Sequence, residues 1–240
     1  MKISRRSFIT LSLSLIGATG LGYSYLESIR LLITRLHLNL GVKVAFLVDI
    51  HTHAFGMVEK AVIEVLDSEK PDVILIGGDI IDEFTGSLTP VEEYLSLMNA
   101  KEKYAVFGNH DHWCGRIEEL SKVLERAGFE ILSNEIAESS VGRILGLDWR
   151  DDRSYRVSCD ADIVLVHDPN AALGLHGAKL VLAGHTHGGV TLGSLTILSN
   201  SAFVRGLYKL KGNCILYVSR GLGQMIPLRP TSPLELVIIE

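Results

Sequence analysis

The chain has 240 residues, the length of one domain with a small appendage. Hydrophobic residues make up 47% and charged residues 21%, which excludes a disordered or low-complexity protein. The formal net charge of −5, with no basic patch in the body, argues against nucleic acid as the main partner. No repeat of solenoid length is present. Cys114, Cys159 and Cys214 are scattered and odd in number, so they form no disulfide framework and no zinc ribbon. At most one disulfide stays open, and all three read as small apolar residues.

Lys2, Arg5 and Arg6 open the chain, and Ser7–Leu26 follows as 20 residues without a charge. A helix of that length is about 30 Å long, enough for the core of a bilayer. Six Ser or Thr and three Gly keep the run only modestly apolar, in the manner of an export signal. The string Ser4-Arg5-Arg6-Ser7-Phe8-Ile9 resembles the twin-arginine export motif, an address read by a receptor. An ordinary anchor helix with its arginines on the positive-inside side fits the same residues. Ala18-Thr19-Gly20 is a weak substitute for a cleavage site, so an uncleaved anchor stays open. Residues 1–28 are therefore expected to be a twin-arginine-type signal or membrane anchor, and 29–240 the functional domain. The expected location is exported or membrane-anchored, on the outer face of the cytoplasmic membrane. The membrane and the twin-arginine machinery are the partners this segment implies. Charge splits near the same boundary: residues 1–40 hold five Lys or Arg and one acid, residues 41–240 hold 18 and 27.

The body alternates strand and helix. Lys43–Val48 is a short apolar run of buried-strand type. Met57–Glu69 carries apolar residues at helical spacing, and Pro71 stops it. Asp72–Ile76 is the next strand, Val91–Met98 a short helix and Tyr104–Phe107 a third strand. Ile117–Leu124 repeats at helical spacing, and Gly128 closes that helix. Later strands fall at Ile144–Leu147, Ile163–Val166, Leu180–Ala183, Ile215–Val218 and Leu234–Ile239. Early alternation and a strand-rich second half predict an α/β sandwich with mixed sheets.

Polar residues gather where these strands end. The first runs into Asp49-Ile50-His51, the second into Gly77-Gly78-Asp79, the third into Gly108-Asn109-His110-Asp111. The Ile163 strand ends at His167, and the Leu180 strand at Gly184-His185-Thr186-His187-Gly188-Gly189. In open α/β sheets, sites form beyond the carboxyl ends of the strands. Asp49, Asp79 and Asn109 are each 30 residues apart, one βα repeat, so adjacent strands can present them together. A single Asp or His after a strand is ordinarily a turn or capping residue. Two imidazoles at i and i+2 between glycines point instead to a cation.

The donors are carboxylate, imidazole and one amide oxygen, without thiolate, which suits Mn, Fe or Zn. Seven such groups exceed the needs of one ion. Two ions sharing a carboxylate would use them all, and paired ions about 3.5–4 Å apart clamp the oxygens of an in-line phosphoryl displacement.

This ordered set, covering roughly residues 42 to 240, resembles the calcineurin-like metallophosphoesterase superfamily. The resemblance implies a four-layer α/β/β/α sandwich of two mixed sheets. It implies two divalent metal ions, with Asp49, His51 and His187 on the first, Asn109, His167 and His185 on the second, and Asp79 bridging them. It further implies a phosphohydrolase in which a hydroxide between the metals attacks a phosphomonoester or phosphodiester. His110 would stabilise the phosphate or protonate the leaving oxygen, and Asp111 would orient His110. Ser133-Asn134-Glu135, Gly184–Gly189, Ser219–Gly223 and Pro227-Leu228-Arg229 are similar to the exported or membrane-bound branch likened to UDP-2,3-diacylglucosamine pyrophosphatases. A lipid head group or wall-associated phosphate is then the kind of substrate implied. Val48 and Val190 depart from that pattern, which bears on substrate preference and not on the ligands.

Two other readings stay in view. Asp49-Ile50-His51-Thr52-His53 also resembles the opening of amidohydrolase barrels and of polymerase-and-histidinol-phosphatase domains, with His51 and His53 as the ligand pair. A (β/α)8 barrel typically needs about 250 residues, more than remain after the leader. A non-catalytic metal-bound module is the third reading, against which His110 beside Asn109 speaks. Trp113 and Trp149 read as rim or core, and His37, His112 and His176 as packing or solvent residues. Asp168 reads as a support for His167 or a plain turn. Arg143, Arg150 and Arg205 are cations that could meet a phosphate.

Overall fold

The computed structural model describes residues 4–240; Lys2 of the leader lies outside them. Helix α1 (Arg5–Glu27) starts at Ser4, whose hydroxyl accepts from the Ser7 N–H, as an N-cap should. It is apolar yet bare: Ile16 is 69% exposed, and only Ser24 and Glu27 at its end are buried. Among the described residues it is the one helix long and apolar enough to cross a membrane.

Strands β1 (Leu31–Leu36) and β2 (Val44–Leu47) follow, then α2 (Met57–Glu69), β3 (Val73–Ile76), α3 (Thr89–Leu97) and β4 (Glu102–Ala105). Next come α4 (Asn109–Trp113), α5 (Ile117–Arg126), β5 (Glu130–Ile131), β6 (Glu135–Ser139), β7 (Gly142–Leu147) and β8 (Val157–Val166). A 3-10 turn at Pro169–Leu173 leads to β9 (Leu175–Ala183). The hairpin β10 (Val190–Leu192) and β11 (Leu195–Leu198), then β12 (Gly206–Lys209), β13 (Ile215–Val218) and β14 (Leu234–Ile239) complete the chain.

Two six-stranded mixed sheets stack face to face, in the orders β1-β14-β2-β3-β4-β5 and β12-β13-β9-β8-β7-β6. Their centres are parallel: β2, β3 and β4 in one, β13, β9, β8 and β7 in the other. Side chains alternate across each strand. Val44 and Phe46 therefore enter the layer between the sheets, with Ile163, Leu165 and Leu182, while Ala45 and Leu47 face the helices. Those helices, α2, α3 and α5, bury Leu66, Tyr94 and Leu124 on the outer face of the first sheet. The outer face of the second sheet is covered more thinly, by Ala171 and Ala172 of the 3-10 turn with Tyr155 and Phe203. This is the expected α/β/β/α sandwich with a slight fourth layer. Gly128, in a left-handed conformation (φ 81°), ends α5 as the sequence predicts.

Boundaries shift where neighbours override local pattern. β4 begins at Glu102 and not Tyr104, because Glu102 and Lys103 pair with Val73 and Ile74 of β3. β8 and β9 each start about five residues early, as they pair beyond the sheet as a long ribbon. All three cysteines are free thiols; Cys214 is buried and the other two are partly so.

Candidate active site

The parallel strands of both sheets end at one edge. His167 Nδ1–H donates to the Gly77 carbonyl (2.9 Å), and the His185 N–H donates to Asp49 (3.0 Å), stitching the two sheets together there. The glycine pairs have a steric cause. Gly78 has φ 92°, and a Cβ on it would come within 2.5 Å of the Gly108 nitrogen. The loops after β3 and β4 thus cross glycine to glycine, which brings Asp79 and Asn109 side by side. Asp49, His51, Asp79, His185 and His187 also have positive φ, between 46° and 70°. Left-handed backbone at five non-glycine residues of one site is costly and persists only where the surroundings enforce it.

The structure brings six of the seven predicted ligands into two groups and sets Asn109 in the turn beside Asp79. Asp49, His51 and His187 form one group, and Asp79, His167 and His185 a second, with donor atoms in each group within 4.8 Å of one another. Asp79 lies between them: its Oδ2 is 3.0 Å from His167 Nε2 and 3.8 Å from His51 Nε2. His51 Nε2 and Asn109 Oδ1 are buried without any hydrogen-bond partner, and His167 Nε2 meets only the Asp79 carboxylate. Two orphaned lone-pair donors beside two buried carboxylates are a poor protein interior and a good fit for cations.

Outer partners fix the rings. Asp82 Oδ2 lies 2.8 Å from His51 Nδ1, and the Gly223 carbonyl accepts from His187 Nδ1–H at 3.1 Å, so each ring turns its Nε2 inward. The Asn200 amide donates to His185 at 3.1 Å. Asp82, Glu83, Gly223 and Asn200 were not singled out for these roles by the sequence.

One expectation changes, and one alternative reading falls. Asp111 does not orient His110. Its carboxylate accepts from the backbone N–H groups of Ile80, Ile81 and Gly108 (2.9–3.0 Å), tying two loops together. His110 Nδ1 pairs instead with Glu83 Oε2 at 2.8 Å, while the His110 N–H donates to Asp79. The alternative reading needed His53. It does not join His51 as a ligand pair; its Nε2 rests on both oxygens of Asp82, the carboxylate that also holds His51 Nδ1. The chain is also a sandwich and not a barrel.

Electrostatics follow from this crowding. Burial opposes ionisation of Asp79, yet the His167 and His51 charges hold it well below the usual carboxylate range. Burial works against a charged His167, and Asp79 outweighs it, raising that imidazole to about 9. Burial and the charge on His167 push His185 down to about 3, and burial and Arg229 lower His187. Burial drives Asp111 up to about 6. Protons and cations compete for these same atoms.

Trp113 and Trp149 form the rim. Trp113 packs edge-on against His110 (5.3 Å between centroids), Trp149 lies tilted against His185 (5.1 Å), and both indoles donate to Asp151. Asp168 is fully buried and grips Arg153 with both oxygens, supporting the turn after His167. Arg143 and Arg150 are spent on Asp160 and Asp152, and Arg205 on Thr191 and Thr231. His112 binds Asp148. His37 and His176 lie beyond the opposite edge, after β1 and near the start of β9.

A two-sheet α/β sandwich with paired Asp/His clusters at one sheet edge defines a class of metal-dependent hydrolases. The profile described as calcineurin-like phosphoesterase matches residues 42–189, and the chain belongs to that family of dimetal-dependent phosphoester hydrolases. An uncharacterized metallophosphoesterase of Helicobacter pylori is 30% identical across 82% of this chain and 59% of its own length. The chain thus spans about three fifths of that relative. Phosphodiesterase YaeI of Escherichia coli is 27% identical across 99% of both chains. A 5'-nucleotidase precursor from Thermus thermophilus shares the fold, with a TM-score of 0.51 and 14% identity over 76% of this chain and 49% of that one.

Proposed function

We propose that residues 29–240 form a dinuclear-metal-dependent phosphoesterase that cleaves a phosphomonoester or phosphodiester. The observation that carries the reading is the pair of Asp/His groups around Asp79, with His51 Nε2 and Asn109 Oδ1 buried without partners. Asp49, His51 and His187 would hold one divalent ion, Asn109, His167 and His185 the other, and Asp79 both. Ions bound there would supply Lewis acidity toward phosphoryl oxygens and lower the pKa of water. The chain's own residues do the rest. Glu83 engages Nδ1 of His110, which leaves Nε2 to carry a proton to the leaving oxygen. Trp113 and Trp149 wall off solvent beside that proton. Mn, Fe and Zn all suit the donor set.

Residues 1–28 act as a twin-arginine-type signal or membrane anchor, supported by Arg5-Arg6 in the first turn of a bare apolar helix. The domain would then stand on the outer face of the cytoplasmic membrane, where lipid head groups and wall phosphates are substrates within reach. The branch similar to UDP-2,3-diacylglucosamine pyrophosphatases fits that location.

The test is cleavage of a chromogenic phosphodiester, with and without chelator, against amide and lactone panels and lipid-linked diphosphates. Chelator-sensitive phosphoester cleavage alone supports the reading. Amide or lactone cleavage would favour an amidohydrolase, and metal binding without turnover a binding module.

A further inference from the structure

The C-terminal third of the chain differs from the rest in charge. From Pro169 to Leu234 it has six Lys or Arg and no acid, in a chain with 28 acids. Within this stretch the β10–β11 hairpin gives large apolar side chains to solvent: Leu192 is 74% exposed, Leu195 61% and Leu198 67%. Beside it, the loop after β13 exposes Ile226 (60%) and Leu228 (47%). Leu198 and Leu228 line the two walls of a cleft of about 370 Å³ that also reaches His187. Arg205 locks hairpin to loop, donating to the Thr231 carbonyl (2.9 Å) and the Thr191 hydroxyl (2.6 Å). The same loop holds the end of α1. The Arg229 N–H donates to the Ser24 carbonyl (3.2 Å), and Gln224 Nε2 donates to that of Ser28 (3.4 Å). The apolar cluster therefore sits where a bilayer crossed by α1 would end.

We propose that the β10–β11 hairpin and the Gln224–Pro230 loop form a docking face seated on an anionic lipid bilayer. A clustered apolar patch of this kind marks an interaction site. Neither the hairpin nor the loop carries an acid, so no carboxylate of theirs repels the negative potential of anionic head groups. A second copy fits less well, because the face adjoins the end of α1, where the bilayer crossed by that helix begins. Seated in this way, the cleft beside His187 opens into the head-group layer. The inference rests on reading α1 as a membrane span, but not on catalysis.

The full chain is reconstituted into vesicles of phosphatidylethanolamine and phosphatidylglycerol, with or without lipids brominated in the upper acyl chain. Leu195→Trp and, separately, Ile226→Trp add an indole to the face; Leu97→Trp, at the end of α3, is the control. Circular dichroism establishes that each variant folds, and two face positions guard against the loss of one. Interfacial side chains sink about 5–10 Å into the head-group boundary, so each face indole should lose about half its added emission while the control loses none. Unquenched face indoles in chains that stay with the vesicles would overturn the docking face and leave the span intact. Unquenched indoles together with a cross-linked dimer would assign the face to a second copy and also overturn it. Chains that leave the vesicles would overturn the span on which it rests.

Discussion

His110 Nδ1 lies 2.8 Å from Glu83 Oε2, and the adjacent Asp111 faces away, holding backbone N–H groups of the loop that carries Asp79. Both residues are in the single turn of α4, where neighbours point about 100° apart. One of them can therefore aim at the site while the other braces it from behind.

A proton donor at His110 predicts a loss of about 10²–10⁴ in rate for His110→Ala, with the cations retained. The loss should be largest for poor alkoxide leaving groups and shrink for nitrophenolate. Glu83→Ala should lose part of that factor with the same dependence on leaving group, and Glu83→Gln, which keeps an acceptor oxygen, less. Rates measured across a leaving-group series check this. Equal losses throughout would reduce His110 to positioning the phosphate.

Asp111→Ala strands three N–H groups inside two crossing loops. Unsatisfied buried donors cost about 1–3 kcal/mol each, so denaturant unfolding should show a loss on the order of 3 kcal/mol. An Asp111→Ala chain as stable as the wild type would contradict the bracing role.

With His167 raised to about 9, a cation entering below that pH must displace a proton from it. Affinity for Mn or Zn should therefore rise with pH up to about 9, by up to tenfold per unit for this one proton. Calorimetric titration across pH reads it directly. In the chelated chain the sign reverses. A raised histidine stabilises fully below its unfolded value of 6.5 and loses that stabilisation as pH climbs through about 9. The melting temperature of the chelated chain should fall across that window. Flat affinity over the same range would mean that His167 is not a ligand.

Changing Arg5 and Arg6 together to Lys keeps the charge and removes the twin-arginine signal. Export through the twin-arginine machinery should fail, as fractionation of cells would show. Unchanged export would favour a general signal or an ordinary anchor.

Much of the site edge is readable in the sequence because buried parallel strands are short apolar runs that must end in polar turns. Asp49 and His167 follow such a run directly, and Asp79, Asn109 and His185 follow it after one or two glycines. The missed parts depend on distant partners. β1 pairs with β14, Leu31 opposite Leu234, and its half-exposed alternation carries little local signal. Asp82 and Glu83 read as ordinary turn acids, since nothing local ties Glu83 to a histidine 27 residues later. Asn200 reaches His185 only because the β10–β11 hairpin folds back over 15 residues. The role expected of Asp111 failed for a geometric reason: chain adjacency to His110 is not adjacency of side chains on a helical turn.

The central claim is that one carboxylate, Asp79, serves two cation sites, and metal content measured by elemental analysis tests it most directly. The wild-type chain should hold two divalent ions, His187→Ala should lose mainly one, and Asp79→Ala should fall below one. Two ions per chain retained in Asp79→Ala would contradict the shared site.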